Sequence, residues 1–271
     1  MADRSDIIAL MRRFAPESAT EPGFSDNVGL LVGSARGVCG RVLLCLDCTE
    51  RAVEEAAAKG CSLIVAHHPL IFRSVSRVTD ETPTGRAVLA AARLNVSVYC
   101  AHTNLDFCDG GLNDFAAETA GLKNVRPMTT DGGIKVGRTG DLPAPTTAAR
   151  LAAKCAEAFG DPRAAVAGDG SKTVRAAAIV NGGGGDIEFL KLAAESGADC
   201  YITGDVPHHV ALYAAESGMP VIIVQHYATE RIYISRLKDI LTEAARACGL
   251  DAEFIVSESE RDPVTTVTEE L

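Results

Sequence analysis

RVLLCLDCTERAVEEAAAKGCSLIVAHH, residues 41–68, reads as strand, turn, helix, glycine and strand, and its second strand runs directly into two adjacent histidines, His67 and His68. The same order recurs in RAAAIVNGGGGDIEFLKLAAESGADCYITGD, residues 175–205, with one short insertion. Self-similarity of this kind marks a repeated structural unit. It extends downstream, where LAAARLNVSVYCAHTNLD (89–106) aligns with LYAAESGMPVIIVQHYATE (212–230) and sets His102 on His226 and Asp106 on Glu230. Each copy therefore carries a histidine followed four residues later by a carboxylate. Upstream, a helix (about 5–14 and about 147–159) precedes two short strands in both halves. The expectation is an α/β protein of two similar domains, an internal duplication with helices layered on β-sheets. Its domains are expected over residues 1–126 and 127–256, followed by an acidic C-terminal tail, 257–271, that reads as a solvated end. The Gly, Pro and Thr-rich stretch around 127–148 reads as the join.

Runs such as SLIVA, VSVYCA, CYIT and VIIV are short and continuously apolar, as strands covered on both faces are. In such sheets ligands bind beyond the carboxyl ends of the strands. All six histidines fall there: His67 and His68 after SLIVA, His102 after VSVYCA, His208 and His209 after CYITGDVP, and His226 after VIIVQ. A histidine taken singly reads as a hydrogen-bonded, partly buried residue. Six together, with Asp106, Asp205 and Glu230 nearby, have the composition of an imidazole and carboxylate metal site, expected between the two domains.

AHHPLIF (66–72) is the most informative part of this set. Successive side chains of an extended segment point to opposite faces, and a following proline drives His68 toward that extended region. The two rings are therefore expected to serve two different ions. One carboxylate can join two ions, and Glu230 is the natural bridge. It is expected to begin a helix, ERIYISRLKDILTEAARACG (230–249), with Thr229 as N-cap and His226 ending the strand before it.

Composition narrows the alternatives. The chain has 271 residues, 47% of them apolar and 23% charged, enough for one large or two modest domains and too apolar for a disordered chain. No run approaches the roughly 18 apolar residues of a membrane span. The opening MADRSDIIALMRRF has acidic residues where a signal peptide has basic ones, so a cytoplasmic protein without a membrane partner is expected. Nine cysteines, an odd number scattered along the chain, read as reduced thiols, and the one CxxC, Cys45 to Cys48, has no second pair and reads as core. A net charge of −10 with no basic stripe argues against nucleic acid as a general partner.

The motifs AHHPLIF, AHTNLD with the following GGLND, GDVPHH and QHYATE, together with the early SDNVGLLVG, resemble those of the GTP cyclohydrolase 1 type 2 homologues, also called the Nif-three-like proteins. The resemblance runs in order over nearly the whole chain, and the length matches the short form that lacks an inserted domain. It implies a dinuclear centre in which His68 and Asp106 hold one ion, His67 and His226 the other, and Glu230 bridges them. It also implies a ring-shaped homohexamer with the metals facing an inner cavity. In GDVPHH, Pro207 and His208 depart from the family pattern, which leaves His208 as a structural or surface residue. His209 reads as substrate-facing or structural, and His102 as a hydrogen-bonding neighbour of the ligands.

The expected function is that of a metal-dependent hydrolase. Two divalent ions, of Zn, Mn, Fe, Co or Ni, lower the pKa of a water toward neutrality and polarise a substrate carbonyl, ring carbon or phosphoryl oxygen. His209 or His102 shuttles the proton. The substrate is expected to be a nucleotide-like or phosphorylated small molecule. A rival reading is a metal-binding regulatory or interaction protein. Five ligands for two ions leave open coordination positions, which favours catalysis over a closed structural site. A Rossmann nucleotide-binding domain lacks its glycine fingerprint here. NGGGGD (181–186) reads as a phosphate cradle or a tight turn, and Asp26 and Asn27 as residues lining the site.

Overall fold

The apolar runs become parallel strands, each leading to a capped helix. In a computed structural model that describes residues 2–20 and 26–265, the chain divides into two units. One comprises Met1–Cys108 with Ile234–Arg261, the other Asp109–Tyr233 with Asp262–Leu271. The C-terminal helix thus belongs to the first unit, whereas a sequential reading had placed 127–256 in one domain.

In the first unit, helix α1 (Arg4–Phe14) starts from a reciprocal cap between Asp3 and Asp6. Strands β1 (Gly29–Val32), β2 (Arg41–Asp47), β3 (Leu63–His68) and β4 (Ser97–Cys100) alternate with α2 (Glu50–Ala58) and α3 (Pro83–Arg93), and the short α4 (Thr103–Phe107) follows β4. Thr49 caps α2 and Thr82 caps α3, with Pro83 in the first turn where its missing N–H costs nothing. The sheet order is β1-β4-β3-β2-β11, where β11 (Glu253–Val256) is the last strand of the chain and only β1 runs antiparallel to its neighbour. Leu63, Ile64, Val65 and Ala66 are all buried, as expected of a strand covered on both faces. Leu43, Cys45, Ile64, Ala66 and Val98 pack with Val53, Ala87 and Ala91 of the helices to form the core of this unit.

The second unit holds α5 (Leu112–Thr119), β5 (Lys123–Thr129), β6 (Lys135–Thr147), α6 (Ala148–Phe159), β7 (Ala165–Ala167), β8 (Thr173–Ile179), α7 (Ile187–Glu195), β9 (Cys200–Thr203), α8 (His208–Ser217), β10 (Val221–Ile223) and α9 (His226–Arg231). Its sheet order is β5-β6-β8-β9-β10-β7. Strands β8, β9 and β10 are parallel, and β7 lies antiparallel on β10. The stretch around 127–148, expected as a linker, forms the β5–β6 hairpin instead. Glycine is what permits it: a Cβ on Gly140 would stand 2.8 Å from the Lys123 carbonyl oxygen, and one on Gly137 2.7 Å from that of Ile179. Pro143 and Pro145 fall where the β6–β8 register breaks, between Asp141 and Thr146, so no β6–β8 ladder hydrogen bond is lost to them.

The helix expected over 230–249 is two helices, α9 and then α10 (Tyr233–Ala247). The acidic tail is likewise not free over its first residues. Glu55 of α2 accepts hydrogen bonds from Ser257 Oγ at 2.6 Å, Glu258 N at 2.9 Å, Ser259 N at 3.1 Å and Lys59 Nζ at 2.7 Å. Farther on, Asp262 pairs with Arg163 within the second unit. Residues 266–271 of the tail lie outside the described residues.

Burial opposes ionisation of Glu55, but the hydrogen bonds from Lys59, Ser257, Glu258 and Ser259 outweigh it and bring its pKa down to about 2. A folded-state pKa below the ordinary 4.5 contributes stability that is present above that value and lost as pH falls from it toward 2. Glu55→Gln is therefore expected to cost about 1–2 kcal/mol at neutral pH and to flatten the stability profile between about pH 5 and 2, measured by urea unfolding across pH. A profile as steep as that of the parent protein would assign the acid sensitivity elsewhere.

Candidate metal centre

Strand β3 delivers His67 and His68 to its carboxyl end, and in each ring the protein engages Nδ1. His67 Nδ1 lies 2.9 Å from the Ala101 carbonyl oxygen. His68 Nδ1 lies 2.9 Å from Asp47 Oδ1, a contact set by the register that pairs Asp47 of β2 with His68 across the parallel ladder. His102, just beyond β4, places Nδ1 2.8 Å from Asp26 Oδ1. These partners only accept, so Nδ1 carries the hydrogen and a neutral ring keeps its lone pair on Nε2, the tautomer of a metal ligand. One ligand atom from each of His67, His68 and His102 lies within 4.8 Å of the others.

The alternation expected for adjacent strand residues appears in burial, with His67 buried and His68 half-buried. The rings nevertheless stand only 5.0 Å apart, with their planes at 45°. Asp106, one helical turn past His102, brings Oδ1 to 3.6 Å from His67 Nε2. Asp26 is oriented in turn by the Thr103 N–H at 3.1 Å and hydroxyl at 2.7 Å. Burial would raise its pKa, but these bonds and the His102 contact prevail, so its carboxyl titrates below the usual range.

In the second unit the same device recurs on α9. His226 and Glu230 are one turn apart, with Nε2 3.0 Å from Oε2. His226 Nδ1 meets Asp205 Oδ2 at 2.6 Å, so this ring also keeps Nε2 for a ligand. Glu230 is buried, 3% exposed, and accepts from Asn181 Nδ2 at 3.3 Å, while Asn113 Oδ1 accepts the Asn181 N–H at 3.0 Å. A carboxylate so placed needs nearby donors or a cation. Ligand atoms on one ion with bonds of about 2.1 Å stand roughly 3–3.5 Å apart. The His226–Glu230 separation of 3.0 Å fits that pattern.

Thr229, expected as an N-cap, lies inside α9 instead. Its hydroxyl donates to the His226 carbonyl and accepts the Gly182 N–H, while Gln225 occupies the cap. The NGGGGD stretch forms a tight turn against these ligands. Gly182 has φ +59°, and a Cβ there would stand 2.0 Å from Glu230 Oε1 and 3.1 Å from His226 Nε2. The turn then opens α7, capped by Asp186.

His208 and His209 are exposed in the first turn of α8 and join no convergent group of ligand atoms among the described residues. Cys45 and Cys48 are buried; their mutual hydrogen bond, then burial, keep the Cys45 thiol protonated. Sequence reasoning missed Asp47, although it ends the strand RVLLCLD level with His68. It also missed Asn181, and gave no role to Asp205 beyond its proximity.

The family model for Duf34/NIF3 (NGG1p interacting factor 3) matches residues 2–263. The chain belongs to the Duf34/NIF3 family. Among Duf34/NIF3 relatives, the GTP cyclohydrolase 1 type 2 homolog of Clostridium perfringens is 35% identical over 264 residues, covering 96% of this chain and 97% of its own. The NIF3 homolog of Schizosaccharomyces pombe is 33% identical, covering 89% of this chain and 91% of its own. The crystal structure of a Bacillus cereus protein related to NIF3 superposes with a TM-score of 0.89 over 98% of this chain and 99% of that one. At 21% identity, that likeness shows the mixed α/β fold with its two sheets and helices.

The contacts on Nδ1 and beneath Glu230 have measurable consequences. Asp205→Ala is expected to weaken metal affinity about 10–100-fold in a chelator competition titration, and an unchanged affinity would show that the contact does not orient His226. Gly182→Ala, which meets both a steric clash and a disfavoured φ, is expected to lose metal while the circular dichroism spectrum is retained.

Proposed function

We propose that the chain is a cytoplasmic metal-dependent hydrolase with a dinuclear centre, acting on a phosphorylated or nucleotide-like small molecule. One observation carries the reading: the three ligand histidines, His67, His68 and His226, each give Nδ1 to a carbonyl or an aspartate, the arrangement that reserves Nε2 for a metal. The proposed ligands are His67, His68, Asp106, His226 and Glu230. His68 and Asp106 hold one ion, His67 and His226 the other, and Glu230 bridges. Mixed nitrogen and oxygen donors accept Zn, Mn, Fe, Co or Ni.

When bound, divalent ions supply Lewis acidity, making water nucleophilic near neutral pH and polarising a carbonyl, ring carbon or phosphoryl oxygen. His102, which is outside the ligand set, takes and returns a proton at Nε2. Asp26 on its Nδ1 fixes the tautomer and stabilises the ring while it is charged. His209, exposed at the start of α8, is proposed as a second proton carrier facing substrate. The name of the Clostridium perfringens relative supports hydrolytic ring opening of a purine nucleotide as one candidate reaction.

An internal duplication is part of the proposal. It is supported by the matching strand orders β1-β4-β3-β2 and β7-β10-β9-β8, each with three parallel strands and one antiparallel edge. The homohexamer implied by the family resemblance completes it. Light scattering is expected to give six times the 28.3 kDa chain mass.

The metal assignments separate by variant. His67→Ala and His68→Ala are each expected to lose chiefly a different ion, and Glu230→Ala to weaken both, read by elemental analysis of metal-loaded protein. Loss of the same single ion from both histidine variants would replace the dinuclear reading with a mononuclear one. Activity is tested by a hydrolysis screen of metal-loaded protein over nucleotides, phosphoesters and cyclic amides. No turnover with any metal, alongside tight capture of a protein partner, would favour a metal-binding regulatory protein instead.

A further inference from the structure

Between β3, which ends in His68, and α3, which begins at Pro83, run fourteen residues with no helix or strand. Loops of that length inside a compact unit are uncommon and are usually functional. This one is tied down where it leaves the strand: Asn27 Nδ2 donates to the Ile71 carbonyl at 2.6 Å. The adjacent Asp26 is the residue that holds His102. Phe72 then sets its ring edge-on to His102, with centroids 6.2 Å apart and planes at 87°. The loop is therefore fixed at its base to a candidate metal-centre histidine.

Beyond Phe72 the sequence is RSVSRV, residues 73–78, and all six are exposed. Arg73 and Arg77 project from it with no carboxylate within ion-pair distance among the described residues. Arg73 follows directly on Phe72, which contacts His102, and Arg77 stands four residues on. Guanidinium is the side-chain group that matches phosphoryl oxygens in a bidentate fork.

We propose that the 69–82 loop is the substrate-recognition element of the centre, and that Arg73 and Arg77 grip an anionic phosphoryl group of the substrate while its reacting bond lies at the metals. Phe72 is the positioning residue that seats the loop on His102. This inference rests on the dinuclear hydrolase reading and adds to it the residues that select a phosphorylated substrate. The chemistry is complementary, because bound divalent ions would offset most of the carboxylate charge of the centre and the two arginines add positive charge on the loop.

The test is calorimetric titration of metal-loaded protein with inorganic pyrophosphate, for the parent chain and for the double variant R73A/R77A. Both positions are exposed, so the variant is expected to fold and to retain the parent's metal content by elemental analysis. Pyrophosphate affinity is expected to fall at least about tenfold, with the Arg73→Lys and Arg77→Lys pair recovering part of the loss as point charges. Equal affinity in parent and double variant, or no binding to the parent at millimolar pyrophosphate, overturns the assignment. So does a change in oligomer mass in the double variant, which would make the loop a contact between copies of the chain. The readout is binding, so a failure of the hydrolase reading, absence of turnover in the substrate screen, is distinguishable from a failure of the loop assignment.

Discussion

The structure around the candidate ligands depends on one constraint: each imidazole is held at Nδ1 by the protein itself. His67 is held by a backbone carbonyl, and His68, His102 and His226 by Asp47, Asp26 and Asp205. Such a contact fixes the tautomer, removes ring-flip freedom and, where the partner is a carboxylate, raises the basicity of Nε2. The partners are not scattered. Asp47 is the last residue of β2, Asp205 closely follows β9, and Asp26 precedes β1. The parallel register that buries LIVA is the same register that places Asp47 beside His68. Core packing and ligand orientation are therefore two results of one strand alignment, and a register slip of one residue would lose both.

Glu230 shows how backbone chemistry supports a buried carboxylate. Its side chain sits one turn from His226 on a six-residue helix, and Asn181 donates to one of its oxygens. The space it occupies exists because residue 182 has no Cβ. The run of glycines that resembles a phosphate cradle in sequence is thus committed on this side to a protein carboxylate. Gly184 and Gly185 are equally constrained, by Thr203, Tyr201 and the Asp205 carbonyl, so the turn is shaped by its own neighbours.

Much of this was legible in the residues. Continuous apolar runs gave the buried strands. The repeated spacing of four singled out His226 and Glu230, but the reading divided them between a strand end and a helix start, whereas both lie one turn apart on α9. What escaped reading depends on register and long-range contact. The β5–β6 hairpin has the composition of a linker, and only the partner strands show why its glycines are needed. Thr229 has the identity of an N-cap, but its hydroxyl is bonded to Gly182, forty-seven residues away in sequence. Asp47 and Asn181 act through partners that lie far along the chain, and no local pattern announces them. The first residues of the acidic tail bind Glu55 on α2, a contact that composition alone reads as solvation.

Charge bears on the proposal of an anionic substrate. A net charge of −10 repels anions at long range, which by itself argues against a phosphorylated substrate. At physiological ionic strength, however, fields from exposed charges decay over about 8 Å, so a bound anion responds mainly to the groups around it. On the 69–82 loop Arg73 and Arg77 lie near its start beside Phe72, and Asp80 and Glu81 lie at its far end before α3. Binding then depends on short-range pairing rather than long-range steering, and the acidic exterior carries a different consequence. It slows encounter with polyanions such as nucleic acid, whose many phosphates meet the whole surface, while leaving a small anion able to reach the loop.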